Sequence, residues 1–120
     1  MFSSFKSFLG SQDTDIQQLS PRDLLELDPD SYIILDVRET WEIEIAAIPN
    51  TTTIPLGMLH NRIHELDHYH EKKIICLCHH GGRSQRSATF LKQNGFHDVA
   101  NLAGGIDAWS IEIDKTLRRY

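Results

Sequence analysis

Cys78-His79-His80-Gly81-Gly82-Arg83-Ser84 brings a thiol, two imidazoles, two glycines, a guanidinium and a hydroxyl into seven consecutive residues. A thiol becomes a nucleophile as its thiolate, which forms readily only where N–H donors or positive charge surround the sulfur. Glycines at 81 and 82 permit backbone angles that turn successive amides toward one anion. The chemistry available is attack by the Cys78 sulfur, with a covalent intermediate held on that atom. Arg83 is a fork of donors that suits an anionic donor molecule or the carbonyls of the loop itself. Ser84 reads as the cap of a following helix. His79 and His80 read either as substrate contacts or as exposed loop side chains.

Such a loop has to be delivered by regular structure. Ile74-Ile75-Cys76-Leu77 is a short apolar run of the kind that forms a buried strand, which places Cys78 at its carboxyl end. Ala88, Phe90 and Leu91 follow at helical spacing, over a helix from Ser84 to Asn94 that Asn94-Gly95 stops. Strand, tight turn and helix put the thiol where open α/β sheets bind ligands and where a helix N-terminus attracts anions. Cys76 alternates with Cys78 along the strand and reads as a core residue.

The remaining chain repeats this alternation. Asp15 to Leu19, Tyr32-Ile33-Ile34-Leu35, Thr52 to Pro55 and Val99 to Leu102 read as further short strands. Ser20-Pro21-Arg22-Asp23 starts a helix, with serine as the cap and proline at the first position. Glu39 to Ile45, Leu56 to Leu66 and Ile106 to Trp109 read as the other helices. This pattern predicts an α/β fold with a parallel sheet covered on both faces. Asp36 and Arg38 close the second strand, within reach of the loop. They serve there as hydrogen-bonding support, or an internal ion pair forms among Asp36, Arg38 and Glu42.

Composition narrows the function classes. The chain has 120 residues, 40% hydrophobic and 24% charged, the balance of one globular domain. A formal charge of −5 argues against nucleic acid as a partner, because phosphate binding relies on lysine and arginine. No apolar run is long enough to span a bilayer. Two cysteines at i and i+2 of one strand lie near the upper limit of disulfide geometry, roughly 6.5–7 Å between Cα atoms, so a reducing cytoplasm is the expected location. Adjacent Cys and His residues do not converge easily on one tetrahedral ion, so no metal and no cofactor is expected. His60, His64, His68 and His70, partly at helical spacing, read as a solvated face. The domain is expected over 15–112. Before it lies an arm or short amphipathic helix over 1–14 carrying Phe2, Phe5, Phe8 and Leu9. After it, Lys115, Arg118 and Arg119 make a basic tail over 113–120.

Four segments resemble the rhodanese domain. They are Asp36-Val37-Arg38-Glu39 with Glu42, Ile54-Pro55-Leu56, the Cys78 to Ser84 loop, and Asn94-Gly95-Phe96 followed by Leu102-Ala103-Gly104-Gly105-Ile106-Asp107-Ala108-Trp109. The resemblance runs from about Ile16 to Ser110 and implies a three-layer fold around about five short parallel strands. It implies a sulfurtransferase that moves sulfane sulfur through a Cys78 persulfide. The donor is thiosulfate or a persulfide, and the acceptor is a thiol, cyanide or a partner protein. The substrate loop is then His79, His80, Gly81, Gly82, Arg83 and Ser84, supported by Asp36 and Arg38. The sequence departs from the family pattern in two places. Histidines stand where many members carry arginine just after the cysteine, and Ala46-Ala47 stands where glycine-histidine is usual. A carrier or docking module without efficient turnover is the competing reading. Phosphatase chemistry is a weaker one, since four residues separate Cys78 from Arg83 where phosphatase loops have five.

Overall fold

Strands that are apolar on both faces must be covered on both, and that requirement organises the layers. The computed structural model describes residues 15–120. Five parallel strands, β1 (Gln17–Leu19), β2 (Tyr32–Asp36), β3 (Thr52–Thr53), β4 (Lys73–Leu77) and β5 (Val99–Leu102), form one sheet in the order β1-β5-β4-β2-β3. The α-helices among the described residues are α1 (Pro21–Leu25), α2 (Thr40–Ile45), α3 (Leu56–Arg62), α4 (Gly82–Gln93) and α5 (Gly105–Glu112). The expected parallel three-layer arrangement is therefore the one observed. The arm over 1–14, with Phe2, Phe5, Phe8 and Leu9, lies outside the described residues.

β4 is the central strand, hydrogen-bonded to β2 on one side and β5 on the other. Its side chains alternate between two cores. Ile74, Cys76 and then Cys78 join Leu59, Ala88 and Leu91 on the face covered by α3 and α4. Ile75 and Leu77 join Leu24 and Ile106 on the face covered by α1 and α5. Ile74, Ile75, Cys76 and Leu77 of this strand are fully buried, as is Leu35 on the neighbouring β2, so the strand that leads to Cys78 is firmly anchored.

Local signals set the element boundaries. Ser20 accepts from the Asp23 amide at 3.1 Å while Asp23 accepts from the Ser20 amide at 2.9 Å, a reciprocal cap at the start of α1. The helix expected to run from Leu56 to Leu66 instead leaves α geometry at Arg62 (φ −118°, ψ 12°) and continues as a 3-10 helix, Ile63–Tyr69. The Arg62–Glu65 ion pair, three residues apart at 2.8 Å, fits that tighter winding. The change of winding also breaks up the face shared by His60, His64 and His68, and His60 packs against Phe90. Among the described residues, no helix is long and apolar enough to cross a membrane.

Candidate active site

β4 ends at Leu77, and Cys78 begins the turn into α4. The helix starts two residues earlier than its sequence indicates, at Gly82, because Gly81 takes the left-handed conformation (φ 116°, ψ −12°) and becomes the N-cap. That backbone turns the Gly81 N–H onto Cys78 Sγ at 3.0 Å. Ser84 is therefore not the cap. It lies in the first turn, fully buried, with its hydroxyl 3.3 Å from Cys78 Sγ. Burial pushes the Cys78 thiol up. The Ser84 hydroxyl and the amides of Ser84, Gly81 and His80 together outweigh that and bring it below its ordinary value. Cys78 is only 1% exposed and belongs to the core, yet its sulfur faces N–H groups and the residue lines an open cavity.

The other side of the loop is fixed by α5. The Ile106 and Asp107 amides donate to the Cys78 and His79 carbonyls at 2.9 and 3.1 Å. Gly105, with φ 61°, makes this approach possible, since a Cβ there would lie well inside contact distance of both carbonyl oxygens. One helix N-terminus thus turns its amides to the sulfur, and another holds the carbonyls of the same peptide segment.

A charged chain supports the loop from the β2 side. Asp36 and Arg38 are fully buried and paired at 2.7 Å. Arg38 also donates to the Ala46 carbonyl at 2.9 Å and to the Tyr120 hydroxyl at 3.0 Å. Tyr120 in turn donates to Glu42 at 2.9 Å, and Glu42 takes both arms of Arg83 at 2.6 and 2.7 Å. Asp36 and Arg38 therefore reach the loop through Tyr120 and Glu42 rather than by touching it. Of the ion pair expected among Asp36, Arg38 and Glu42, the Asp36–Arg38 pair is present, whereas the Glu42 carboxylate is paired with Arg83 and Arg38 meets only its backbone carbonyl, at 3.4 Å. With the guanidinium of Arg83 beside it, Glu42 is held at about 2, although burial opposes this. Arg83 is thereby committed to a carboxylate and does not hold the loop carbonyls.

Several supporting residues escaped the sequence reading. Asn101, on β5, accepts from the Ser84 hydroxyl and donates to Gln18 at 2.9 Å. A polar residue inside a four-residue strand whose positions are all buried was the available signal. Tyr120 gave none. It lies in the segment read as a basic tail, where its ring stacks on His79 with centroids 3.8 Å apart and Arg119 pairs with Asp107 at 2.8 Å. Arg86 lines the Cys78 cavity with His79, His80, Gly82 and Arg83.

His79 stacks on His80 as well, at 3.8 Å, and burial keeps it below its ordinary value. Among the described residues, His79, His80 and Asp107 are the group whose ligand atoms come close enough to consider a metal, all within 4.8 Å. Stacked rings direct their nitrogen lone pairs side by side rather than at one point. Asp107 is also already held by Arg119, so the set does not fit a tetrahedral ion.

Comparison with known proteins assigns the family. Residues 20–112 match the model of the rhodanese-like domain. The chain belongs to the rhodanese-like domain family. This rhodanese-like chain is 42% identical over 81 residues to a putative sulfur carrier protein, YrkF, of Bacillus subtilis; the match covers 68% of this chain and 43% of that protein. It is 28% identical over 96 residues to the thiosulfate sulfurtransferase GlpE of Pseudomonas syringae, covering 80% and 89%. The crystal structure of a rhodanese-related protein from Thermoplasma volcanium superposes with a TM-score of 0.74 at 33% identity, covering 81% and 93%. Three of its curated relatives are much longer, and the chain spans 28% to 43% of them.

Proposed function

We propose that this rhodanese-like domain is a sulfurtransferase carrying sulfane sulfur on Cys78. The Cys78 thiolate attacks the outer sulfur of a donor such as thiosulfate. The Sγ–S bond forms, the donor's S–S bond breaks, and sulfite leaves with the electron pair. The persulfide anion then occupies the place where the amides of Gly81, Ser84 and His80 and the Ser84 hydroxyl already converge. A thiolate or cyanide attacks the outer sulfur, takes it, and returns Cys78 as the thiolate. Each half is a separate displacement, so ping-pong kinetics follow.

The observation that carries this reading is the Gly81 N–H on Cys78 Sγ at 3.0 Å, in an open cavity at the end of the central strand. A loop with four residues between cysteine and arginine encloses one sulfur more readily than a phosphoryl group, which disfavours phosphatase chemistry. A reducing compartment such as the cytoplasm suits a site whose working forms are thiolate and persulfide.

Incubation with thiosulfate, followed by peptide mass spectrometry, should place one extra sulfur on Cys78 and none on Cys76. Cys78→Ser should abolish both this adduct and thiocyanate formation from cyanide. Thiocyanate production by Cys78→Ser at the native rate would overturn the assignment. A second reading, transfer to a partner protein with little small-molecule turnover, is favoured by the likeness to a putative sulfur carrier. Its mark is the Cys78 adduct without thiocyanate production.

A further inference from the structure

The Cys78 cavity contains two arginines that differ in what they already hold. Arg83 has both arms of its fork on Glu42, at 2.6 and 2.7 Å, so its charge is compensated by a carboxylate only 3% exposed. Arg86 lies one turn further along α4 on the same face, three residues on, and lines the same cavity. It is exposed, and among the described residues it has no hydrogen-bonding or ionic partner. Of the two imidazoles in the cavity, that of His80 lies 3.8 Å from the Asp107 carboxylate. His79 is stacked between His80 and Tyr120, and its burial favours the neutral ring.

A sulfane-sulfur donor reacts at one end and departs from the other. When the departing end is an anion such as sulfite, positive charge at the cavity wall stabilises both the bound donor and the leaving group. We infer that Arg86, not Arg83, is the anion subsite of this cavity, holding the charged leaving end of an oxyanion donor such as thiosulfate while its outer sulfur meets Cys78. This rests on the reading of Cys78 as a persulfide carrier. The subsite makes the site selective for donors with an anionic leaving group.

The test compares two donors in the whole chain, thiosulfate and 2-hydroxyethyl persulfide, whose leaving end carries no oxyanion. From the persulfide, Cys78 takes the outer sulfur with its proton and the alkyl thiolate leaves, so both donors give the same enzyme form. The ratio of kcat/KM for thiosulfate to that for the alkyl persulfide should fall about tenfold in Arg86→Gln, the size of one lost charge-assisted hydrogen bond. It should fall further in Arg86→Glu and return toward the native value in Arg86→Lys, with the change carried mainly by KM for thiosulfate. An unchanged ratio overturns the inference, and so does an equal loss with both donors, which would mark a structural role. If the native chain takes sulfur from neither donor, the persulfide reading itself falls. That outcome is distinct, because it appears before any Arg86 variant is made.

Discussion

Cys76 and Cys78 stand two residues apart, on the same face of the central strand, exposed by 0% and 1%. Burial raises both thiols. At Cys76 it prevails, pushing the group up to about 12 in spite of a hydrogen bond from Ser87, and the charge on Cys78 adds to the rise. At Cys78 a serine hydroxyl is again present, but three backbone amides join it and the balance reverses. The difference lies in what the backbone is doing. Inside β4 the amides are taken by the neighbouring strands, whereas at its end they are free to turn inward. Two thiols displaced in opposite directions are thus separated by one residue and by the end of a ladder, at nearly equal exposure.

The most severe way to break the contrast is to dislodge the peptide that carries Cys78. Gly105→Ala puts a methyl group against the Cys78 and His79 carbonyls at a residue with φ 61°. The left-handed conformation alone costs an alanine about 1–2 kcal/mol, and the steric conflict adds to it. Urea unfolding should show a loss of at least about 2 kcal/mol. Alkylation of Cys78 should shift to higher pH, toward the behaviour of Cys76. A variant that kept native stability and an acidic Cys78 thiol would show that α5 does not hold the loop.

Next in size is the charged support. Glu42→Gln removes the carboxylate that anchors Arg83 and accepts from Tyr120. A loss of about 2 kcal/mol at neutral pH is expected for charge-assisted bonds at a partly buried site. Because Glu42 is lowered from 4.5 to about 2, its stabilisation is fully present above pH 4.5 and lost as pH falls through about 2. Native protein and variant should therefore converge in stability at the acid end of a pH series of denaturation curves. The Cys78 thiol should stay acidic in this variant, since its N–H donors are untouched. A Cys78 that became as inert as Cys76 would assign the thiolate to Arg83 instead.

The parts that sequence made legible are those encoded locally. Ser20-Pro21 starts α1 where its residue types indicate, and the apolar runs of β2, β4 and β5 lie where they were read. Cys78 and the glycines identify themselves by standing together. What escaped depends on partners far apart in the chain: Glu42 meets Arg83 across 41 residues, Tyr120 meets Arg38 across 82 and Glu42 across 78. No periodicity records such meetings. Ser84 departs from its expected place for another reason. Its type suits a cap, but the glycine before the helix adopts an angle that starts the helix earlier and places the hydroxyl between the sulfur and Asn101.

The mildest test isolates that hydroxyl. Ser84→Ala removes the hydroxyl whose single hydrogen lies between Cys78 Sγ and the Asn101 side-chain oxygen, at an expected cost of about 1 kcal/mol. The alkylation profile of Cys78 should move to higher pH, because the Ser84 hydroxyl is the largest single influence holding the thiol down. It should nevertheless stop well short of Cys76, since the amides of Gly81, His80 and residue 84 remain in place. Cys76 already shows that one serine hydroxyl does not overcome burial. Iodoacetamide rates measured across pH, with Cys76→Ala as the background so that one thiol is followed, decide the matter. A Cys78 profile driven as high as that of Cys76 would mean that the side chain, and not the backbone cradle, makes the nucleophile.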